Sequence, residues 1–282
     1  MVCVRIAIYT NAILCYSWNM DCYNSIGICF ISSRQEDHSE TMKRAVSCIS
    51  GLDSTGYAAQ WKAKGYAIYP ILFDYGQKGR KEIDVSIELS RELDFEEPLV
   101  VDIGFMKNIW SGVQLTDDSI SVEALYTPTV VVPIRNVIFL SIASAYALMI
   151  GAKIVTYGAH MSDIQPRTDT GDPLYPDCHP NTAMAFEEVL RYAHFPFGVK
   201  KIEIWSPARE GLTKAENLRR SFNVMGDLIY KTWSCYLSKE RHCGKCESCI
   251  NRHRAFIEAG IPDLTEYEVD PEEVLKKVDF SR

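Results

Sequence analysis

Four cysteines near the carboxyl end of the sequence have the spacing of a metal site. They are Cys235, Cys243, Cys246 and Cys249, so two C-x-x-C steps share one cysteine and a fourth sulfur lies eight residues upstream. Four thiolates can surround a zinc ion tetrahedrally, and such a closed set leaves no coordination position for a substrate. The spacing therefore predicts one structural zinc ion, with an iron–sulfur cluster or a redox-active cysteine pair as the alternatives.

A second segment, residues 50–55, reads Ser-Gly-Leu-Asp-Ser-Thr and has the chemistry of an anion site. It joins a predicted strand to a predicted helix, where free backbone N–H groups and the helix dipole favour a phosphate. It has neither the lysine of a Walker A loop nor the three glycines of a dinucleotide fingerprint. The segment resembles the pyrophosphate loop, S-G-G-x-D-S, of enzymes that cleave ATP between its α- and β-phosphates, with one glycine of the pair absent. An ordinary helix-capping turn is the alternative interpretation.

The elements that must position these segments alternate along the chain. Strands are predicted at 43–49, 67–75, 98–103, 154–158 and 201–206, and helices at 54–64, 81–94, 137–150, 181–192 and 214–225. The alternation predicts an α/β fold, with a doubly wound, mainly parallel five-stranded sheet, to which a small C-terminal zinc-binding segment is added. Ligands bind beyond the carboxyl ends of such strands, so the segments that follow the strands are expected to meet at one edge.

The chain divides into three parts in this interpretation. Residues 1–41 form an extension outside the fold, 42–226 an ATP-binding α/β domain, and 227–282 a zinc-binding segment packed on it. Met42 directly precedes the first strand and is a candidate for the functional start. Four of the ten cysteines lie in the extension at spacings that match no compact metal site: Cys3, Cys15, Cys22 and Cys29.

Composition narrows the class of ligand and the compartment. Acidic residues outnumber basic ones, 37 to 30, which argues against a broad basic face for a nucleic acid and favours a small substrate. Ten cysteines in a chain of 282 residues indicate free thiols and metal ligands, hence the cytoplasm. No run approaches the roughly 20 apolar residues of a membrane span. The most apolar stretch, 137–150, is expected to be a buried core helix.

Five segments together resemble the 7-cyano-7-deazaguanine synthase family (QueC), which belongs to the pyrophosphate-loop ATPases. The loop at 50–55 is the first, and four more follow in the family's order: FDYGQ at 73–77, VPIRN at 132–136, YPDC at 175–178, and WSCY at 233–236 with CGKCESC at 243–249 and Arg252. The chain departs from the family at Lys78-Gly79, where Arg-His is usual, and in a longer loop between Asp163 and Tyr175. The resemblance implies an adenine nucleotide alpha hydrolase-like fold.

The resemblance also implies an activity. Such enzymes are ligases that convert 7-carboxy-7-deazaguanine, ammonia and ATP to 7-cyano-7-deazaguanine, a precursor of queuosine or archaeosine in transfer RNA. ATP, with magnesium, activates the carboxylate as an adenylate, ammonia gives an amide, and a second adenylation permits loss of AMP and formation of the nitrile. The family precedent suggests a homodimer that acts on small molecules, without direct binding of tRNA or of a membrane.

Roles for individual residues follow from the same resemblance and from their chemistry. The ATP-binding residues are expected to be Ser50, Gly51, Leu52, Asp53, Ser54 and Thr55. The residues expected to act in catalysis are Asp53, Ser54, Arg135 and Asp177. The residues expected to bind the base are Arg135, Asn136, Asp163, Asp177 and Cys178. Each has a plain structural alternative: the aspartates can cap turns, Arg135 can form a surface ion pair, and Cys178 is better explained as a packed thiol than as a nucleophile.

Three other functions remain open on the sequence. A tRNA sulfur transferase can also combine a pyrophosphate loop with cysteine pairs, but it would need a basic track and catalytic cysteines. A family member whose altered loop no longer binds ATP would have only a binding role. A non-enzymatic zinc module, acting through its C-terminal segment, fits least because the long α/β body has polar strand ends.

Overall fold

The computed structural model describes residues 42–193 and 201–277, together with two short strands near the amino terminus. These strands are β1 (Arg5–Ile6) and β2 (Leu14–Cys15), which pair antiparallel. The expectation for residues 1–41, including their four cysteines, otherwise lies outside the described residues.

A five-stranded parallel sheet forms the centre of the fold. Its strands are β3 (Lys43–Cys48), β4 (Tyr66–Asp74), β5 (Leu99–Asp102), β6 (Ile154–Thr156) and β7 (Glu203–Trp205). They lie in the order β5-β4-β3-β6-β7, and every pair is parallel. The predicted sheet is confirmed. The order turns back between β3 and β6, and a crevice opens at such a switch point beyond the strand ends.

Seven α-helices lie in the described part of the chain. They are α1 (Leu52–Ala63), α2 (Lys81–Glu92), α3 (Arg135–Ile150), α4 (Pro180–Ala193), α5 (Lys214–Met225), α6 (Glu247–Ala259) and α7 (Pro271–Lys277). The first five match predicted helices to within about two residues at most ends, whereas α6 and α7 were not predicted. Helix α5 begins with a capping box of Thr213 and Glu216, in which each side chain bonds the other residue's backbone N–H.

Two apolar cores cover the two faces of the sheet, because successive strand residues point to opposite sides. Ala45 packs on one face with residues of α1, α5 and α6, and its neighbour Val46 packs on the other face with residues of α3 and α4. Both side chains are fully buried. The sheet is therefore doubly wound, as predicted.

Helix α3 is buried on one side only, so the expectation of a buried core helix is wrong for its outer face. Leu140, Ala143, Ser144 and Ala147, at helical spacing, are buried against the sheet. On the outer face Met149 is 85% exposed, and Ile134, just before the helix, is 62% exposed. The helical stretch Pro128–Ile150 is long and apolar enough to cross a membrane by length and composition alone, but its inner face is packed on β3 and β6.

Candidate active site and metal centre

A cavity of about 280 Å³ opens where β3, β4 and β6 end. The residues that follow these strands line it, among them Ser50, Tyr75 and Tyr157. Ten of the eleven residues predicted to bind ATP or the base line this one cavity, and Thr55 is the exception. The ten are Ser50, Gly51, Leu52, Asp53, Ser54, Arg135, Asn136, Asp163, Asp177 and Cys178.

Thr55 is the exception because it belongs to the interior of α1. It is fully buried, and its backbone N–H donates to the carbonyl of Gly51 at 3.2 Å. That amide is therefore occupied by the helix itself. The Thr55 hydroxyl has no hydrogen-bond partner among the described residues, so a donor from this side chain to phosphate stays a prediction.

The loop before α1 is shaped by close backbone packing. A side chain at Gly51 would place its Cβ 2.8 Å from the carbonyl oxygen of Trp233, so glycine is required there. The backbone conformation of Ser50 does not require glycine, because Asp94 and Ile134 are the only non-glycine residues with positive φ in the described part of the chain. The Ser54 hydroxyl accepts the Ser50 N–H at 2.9 Å, and no side chain caps α1. A serine in place of one glycine of the pair is thus compatible with this loop, whose helix end is open to an anion.

Asp53 lies at this open helix end and forms an ion pair with Lys214. Burial opposes ionisation of the carboxyl, but Lys214 and the nearby His160 outweigh it, so the pKa of Asp53 is lowered. Its second oxygen, Oδ1, is buried without a hydrogen-bond partner among the described residues. An oxygen of this kind fits a magnesium ion, which prefers carboxylate and phosphate ligands.

Lys214 was not predicted as a site residue, although the sequence contained a signal for it. It directly follows the N-cap Thr213, and it lines the same cavity as Asp53. A lysine ammonium beside an open helix N-terminus adds a second positive element to a phosphate site.

Arg135 enters the cavity from the first turn of α3. The residue before it, Ile134, has φ +50°, a left-handed conformation that is rare for a β-branched residue. The Arg135 guanidinium donates to the Tyr75 hydroxyl at 3.0 Å. Burial alone would lower the pKa of Arg135, but Tyr75, Asp177 and Glu82 outweigh that effect and raise it, so the side chain stays charged. It can pair with a carboxylate or phosphate oxygen.

Asp177 and its neighbours form a second wall of the cavity. The Asp177 carboxylate accepts the backbone N–H of Asn136 at 2.9 Å, and the Asn136 amide donates to the Cys178 sulfur at 3.3 Å. Burial raises the pKa of Cys178 well above its usual range, which keeps it a thiol. Cys178 thus lies in the cavity as a packed, neutral group, as the alternative interpretation held.

Asp163 completes this wall from the turn after β6. Its carboxylate accepts the backbone N–H of His160 at 3.0 Å, closing a capping box. Burial raises the pKa of Asp163. The turn-capping role is thus real, and it coexists with a position on the cavity wall.

Glu247 is a further cavity residue that sequence reasoning missed. It lies between two of the predicted metal ligands, in the first turn of α6, and is 5% exposed. Its carboxylate accepts hydrogen bonds from the hydroxyls of Tyr175 and Tyr236 and from the Asn251 amide, at 2.9 to 3.2 Å. The only signal in the sequence was its place between Cys246 and Cys249.

The four predicted metal ligands come together beside this cavity. The sulfurs of Cys235, Cys243, Cys246 and Cys249 all lie within 4.8 Å of one another, and each residue is at most 2% exposed. Gly244 turns the chain between them with φ +72°, where a Cβ would lie 1.7 Å from the Val269 carbonyl oxygen. A closed set of four buried sulfur donors fits a structural zinc ion.

Comparisons with a family model and with individual relatives indicate the same family. The family model described as queuosine biosynthesis protein QueC matches residues 44–260. A 7-cyano-7-deazaguanine synthase from Psychromonas ingrahamii is 35% identical over 231 residues, 80% of this chain and 98% of the relative. The enzyme of that name from Acetivibrio thermocellus is 37% identical over 233 residues, again 80% and 98% of the two chains. The one from Thermoplasma acidophilum is 37% identical over 237 residues, 81% and 94% of the two chains.

Similarity to solved structures is lower. An NH3-dependent NAD synthetase from Campylobacter jejuni has 13% identity and a TM-score of 0.38, over 87% of this chain and 82% of that one. A 4-thiouridine synthetase solved with RNA and bound ATP has 14% identity and a TM-score of 0.39, over 84% and 50% of the two chains.

Proposed function

This chain belongs to the QueC family of queuosine biosynthesis proteins, and we propose on that basis that it makes 7-cyano-7-deazaguanine from 7-carboxy-7-deazaguanine, ammonia and ATP. One observation carries the proposal beyond the family relationship. The open end of α1 with Asp53, and the charged Arg135 with Asp177, line one cavity. A triphosphate and an acid can therefore meet there.

The reaction must turn a poor electrophile into a good one. In the proposed sequence the substrate carboxylate attacks the α-phosphate of ATP and releases pyrophosphate, which gives an acyl-adenylate. Ammonia displaces AMP to form the amide. The amide oxygen then attacks the α-phosphate of a second ATP and releases a second pyrophosphate. Loss of a proton and AMP from this adenylated amide leaves the nitrile.

The residues of the cavity have distinct parts in this proposal. The free N–H groups of α1 and the Lys214 ammonium would stabilise negative charge that develops on the departing pyrophosphate. Arg135 would orient the substrate carboxylate, while Asp163 and Asp177 would accept from the base. Asp53 would hold magnesium, which supplies further charge neutralisation on the phosphates when bound.

The four cysteines are assigned a structural role in this proposal. They would hold one zinc ion that fixes the segment carrying Glu247 and α6. Their burial speaks against sulfur transfer, because a catalytic persulfide must be reached by its substrate. The alternative of a tRNA sulfur transferase is thereby weakened.

We also assign the outer face of α3 to contact with a second copy of the chain. Ile134 and Met149 lie exposed there, and the expected homodimer would cover such apolar surface. Direct tRNA binding is not expected, since the substrate is a free base and the chain is acidic. The cytoplasm stays the predicted location.

The test is to incubate purified, zinc-loaded protein with ATP, magnesium, ammonium and 7-carboxy-7-deazaguanine, while AMP and product mass are followed. Nitrile with two AMP per product supports the proposal. AMP without nitrile, or no ATP binding at all, contradicts it, and the second result would indicate a member of the family with a binding role only.

A further inference from the structure

We propose that Glu82 recognises the amine-bearing edge of the deazapurine, accepting hydrogen bonds from the ring N–H and the exocyclic amine. The inference rests on the proposed function, whose substrate supplies these donors. Glu82 lies in the first turn of α2 and lines the same cavity as the loop at α1 and Arg135.

The Gln77 side chain holds Glu82 in place. The Gln77 carbonyl oxygen accepts the Tyr75 N–H at 2.9 Å, which fixes the orientation of its amide. The amide nitrogen donates to the Phe73 carbonyl at 3.0 Å and to Glu82 Oε1 at 3.1 Å. The turn after β4 thus presents one carboxylate in a defined position.

The hydrogen bond from Gln77 engages one oxygen of Glu82, Oε1, and the Glu82 side chain is half-buried where it lines the cavity. Burial raises the pKa of this carboxyl, and Gln77 and Arg135 offset that only in part. A half-buried carboxylate in a cavity gains from donors that replace the water it loses when a ligand binds. The adjacent N–H groups of a guanine-like edge present such donors side by side.

Charge and shape in the cavity agree with this orientation of the base. Arg135 lines the same cavity and is suited to the carboxylate that the substrate carries on its five-membered ring. The Phe139 ring stacks on Phe73 and lies near Tyr75, which gives the cavity a flat aromatic wall. A planar base with an acid at one end and donors at the other matches these groups.

An acid in the first turn of α2 also interacts favourably with the helix dipole, and this is the explanation that competes with recognition of the base. Asp84 stands in the same turn, is exposed, and does not line the cavity. The variant D84N therefore removes the same helix charge without touching the proposed contact. It is the matched control.

The experiment compares wild type, E82Q and D84N with two substrates, 7-carboxy-7-deazaguanine and the analogue that lacks its exocyclic amine. In E82Q we expect the KM for the natural acid to rise about ten- to hundredfold, with the KM for ATP nearly unchanged. The analogue should bind the wild type poorly, and E82Q should no longer distinguish the two acids. D84N should behave as the wild type does.

Two results would overturn the inference. One is a rise in the KM for ATP alone, which would place adenine against Glu82. The other is undiminished discrimination between the acids in E82Q. Absence of nitrile would contradict the proposed reaction but not the recognition of the base by Glu82. Equilibrium binding of both acids, measured without turnover, tests that recognition separately.

Discussion

The hydroxyl of Tyr175 lies within hydrogen-bond distance of both carboxylate oxygens of Glu247, at 3.1 and 3.0 Å. Tyr175 begins the segment that carries Asp177 and Cys178, and Glu247 lies between Cys246 and Cys249. This contact therefore joins the cavity wall to the metal centre. Tyr236, one residue after Cys235, donates to the same carboxylate at 2.9 Å.

Removal of the Tyr175 hydroxyl tests this connection. In Tyr175→Phe we expect a several-fold rise in the KM for the deazapurine acid and a loss of about 1 kcal/mol of unfolding free energy, since one hydrogen bond to a buried carboxylate is lost. Steady-state kinetics and denaturant unfolding measure the two effects. Tyr230→Phe is the control, because its hydroxyl donates to the Pro262 carbonyl outside the cavity. Equal KM values in both variants would refute a positioning role for Tyr175.

Loss of one buried cysteine should remove the metal. We expect Cys246→Ser to purify with less than one zinc per chain and to unfold at lower temperature, because metal binding contributes to the folding free energy. Metal analysis and calorimetry are the measurements. Cys29→Ser, in the predicted N-terminal extension, should keep full zinc content. Full zinc in Cys246→Ser would exclude the four-cysteine site.

The ion pair of Asp53 and Lys214 gives a prediction about pH. The pKa of Asp53 is lowered in the folded protein, so its ionised carboxylate stabilises the folded state. This stabilisation is fully present above the ordinary pKa of an aspartate and is lost as pH falls through the lowered value. In Lys214→Met the positive charge that lowers the pKa of Asp53 is gone, while burial still raises it. The Asp53 carboxyl should therefore take up a proton at higher pH than in the wild type. The acid limb of kcat/KM for ATP should move upward accordingly.

The pH profile of a control variant identifies the cause of that shift. Lys64 pairs with Glu210 at the surface, away from the cavity. Lys64→Met should leave the acid limb where it is in the wild type. An unchanged profile in Lys214→Met would mean that Asp53 titration does not limit ATP use.

The exposed face of α3 gives a prediction about assembly. Met149→Lys should turn a dimer into a monomer, because a charge would be buried in an apolar contact. Light scattering after size exclusion measures the mass. Val224 is 42% exposed on α5, on the other side of the sheet, so Val224→Lys should leave the mass unchanged. A monomeric wild type would contradict the assignment of this face.

The sequence predicted the sheet and most helices because their signals are local. Short β-rich runs identified the strands, and the pair of Thr213 and Glu216 at the start of α5 is a signal of the same local kind. Helix α6 was missed because its first turn also carries the metal ligands, so the cysteine spacing was interpreted without the helix pattern around it. The outer face of α3 was misjudged because an apolar helix has no polar stripe to show which side is exposed.

The site was predictable where chemistry is concentrated in a short segment. The loop at α1 and the four cysteines were found in this way. Glu82 was missed because the cavity that it lines is formed only by the fold, although its partner Gln77 is five residues away. Glu247 and Lys214 were missed because each acquires its meaning from a partner distant in the sequence: Lys214 pairs with Asp53, 161 residues away. Glu247 bonds Tyr175, 72 residues away. Only the folded chain brings these groups together.

The closeness of the cysteine cluster to the cavity has a consequence for the cell. If the four buried thiols hold zinc as proposed, zinc starvation would loosen the wall that Glu247 and Tyr175 form, even though no metal touches the reacting atoms. The supply of a tRNA nucleobase precursor would then fall with the metal status of the cell. A shortage of zinc would then affect translation through the modification of transfer RNA.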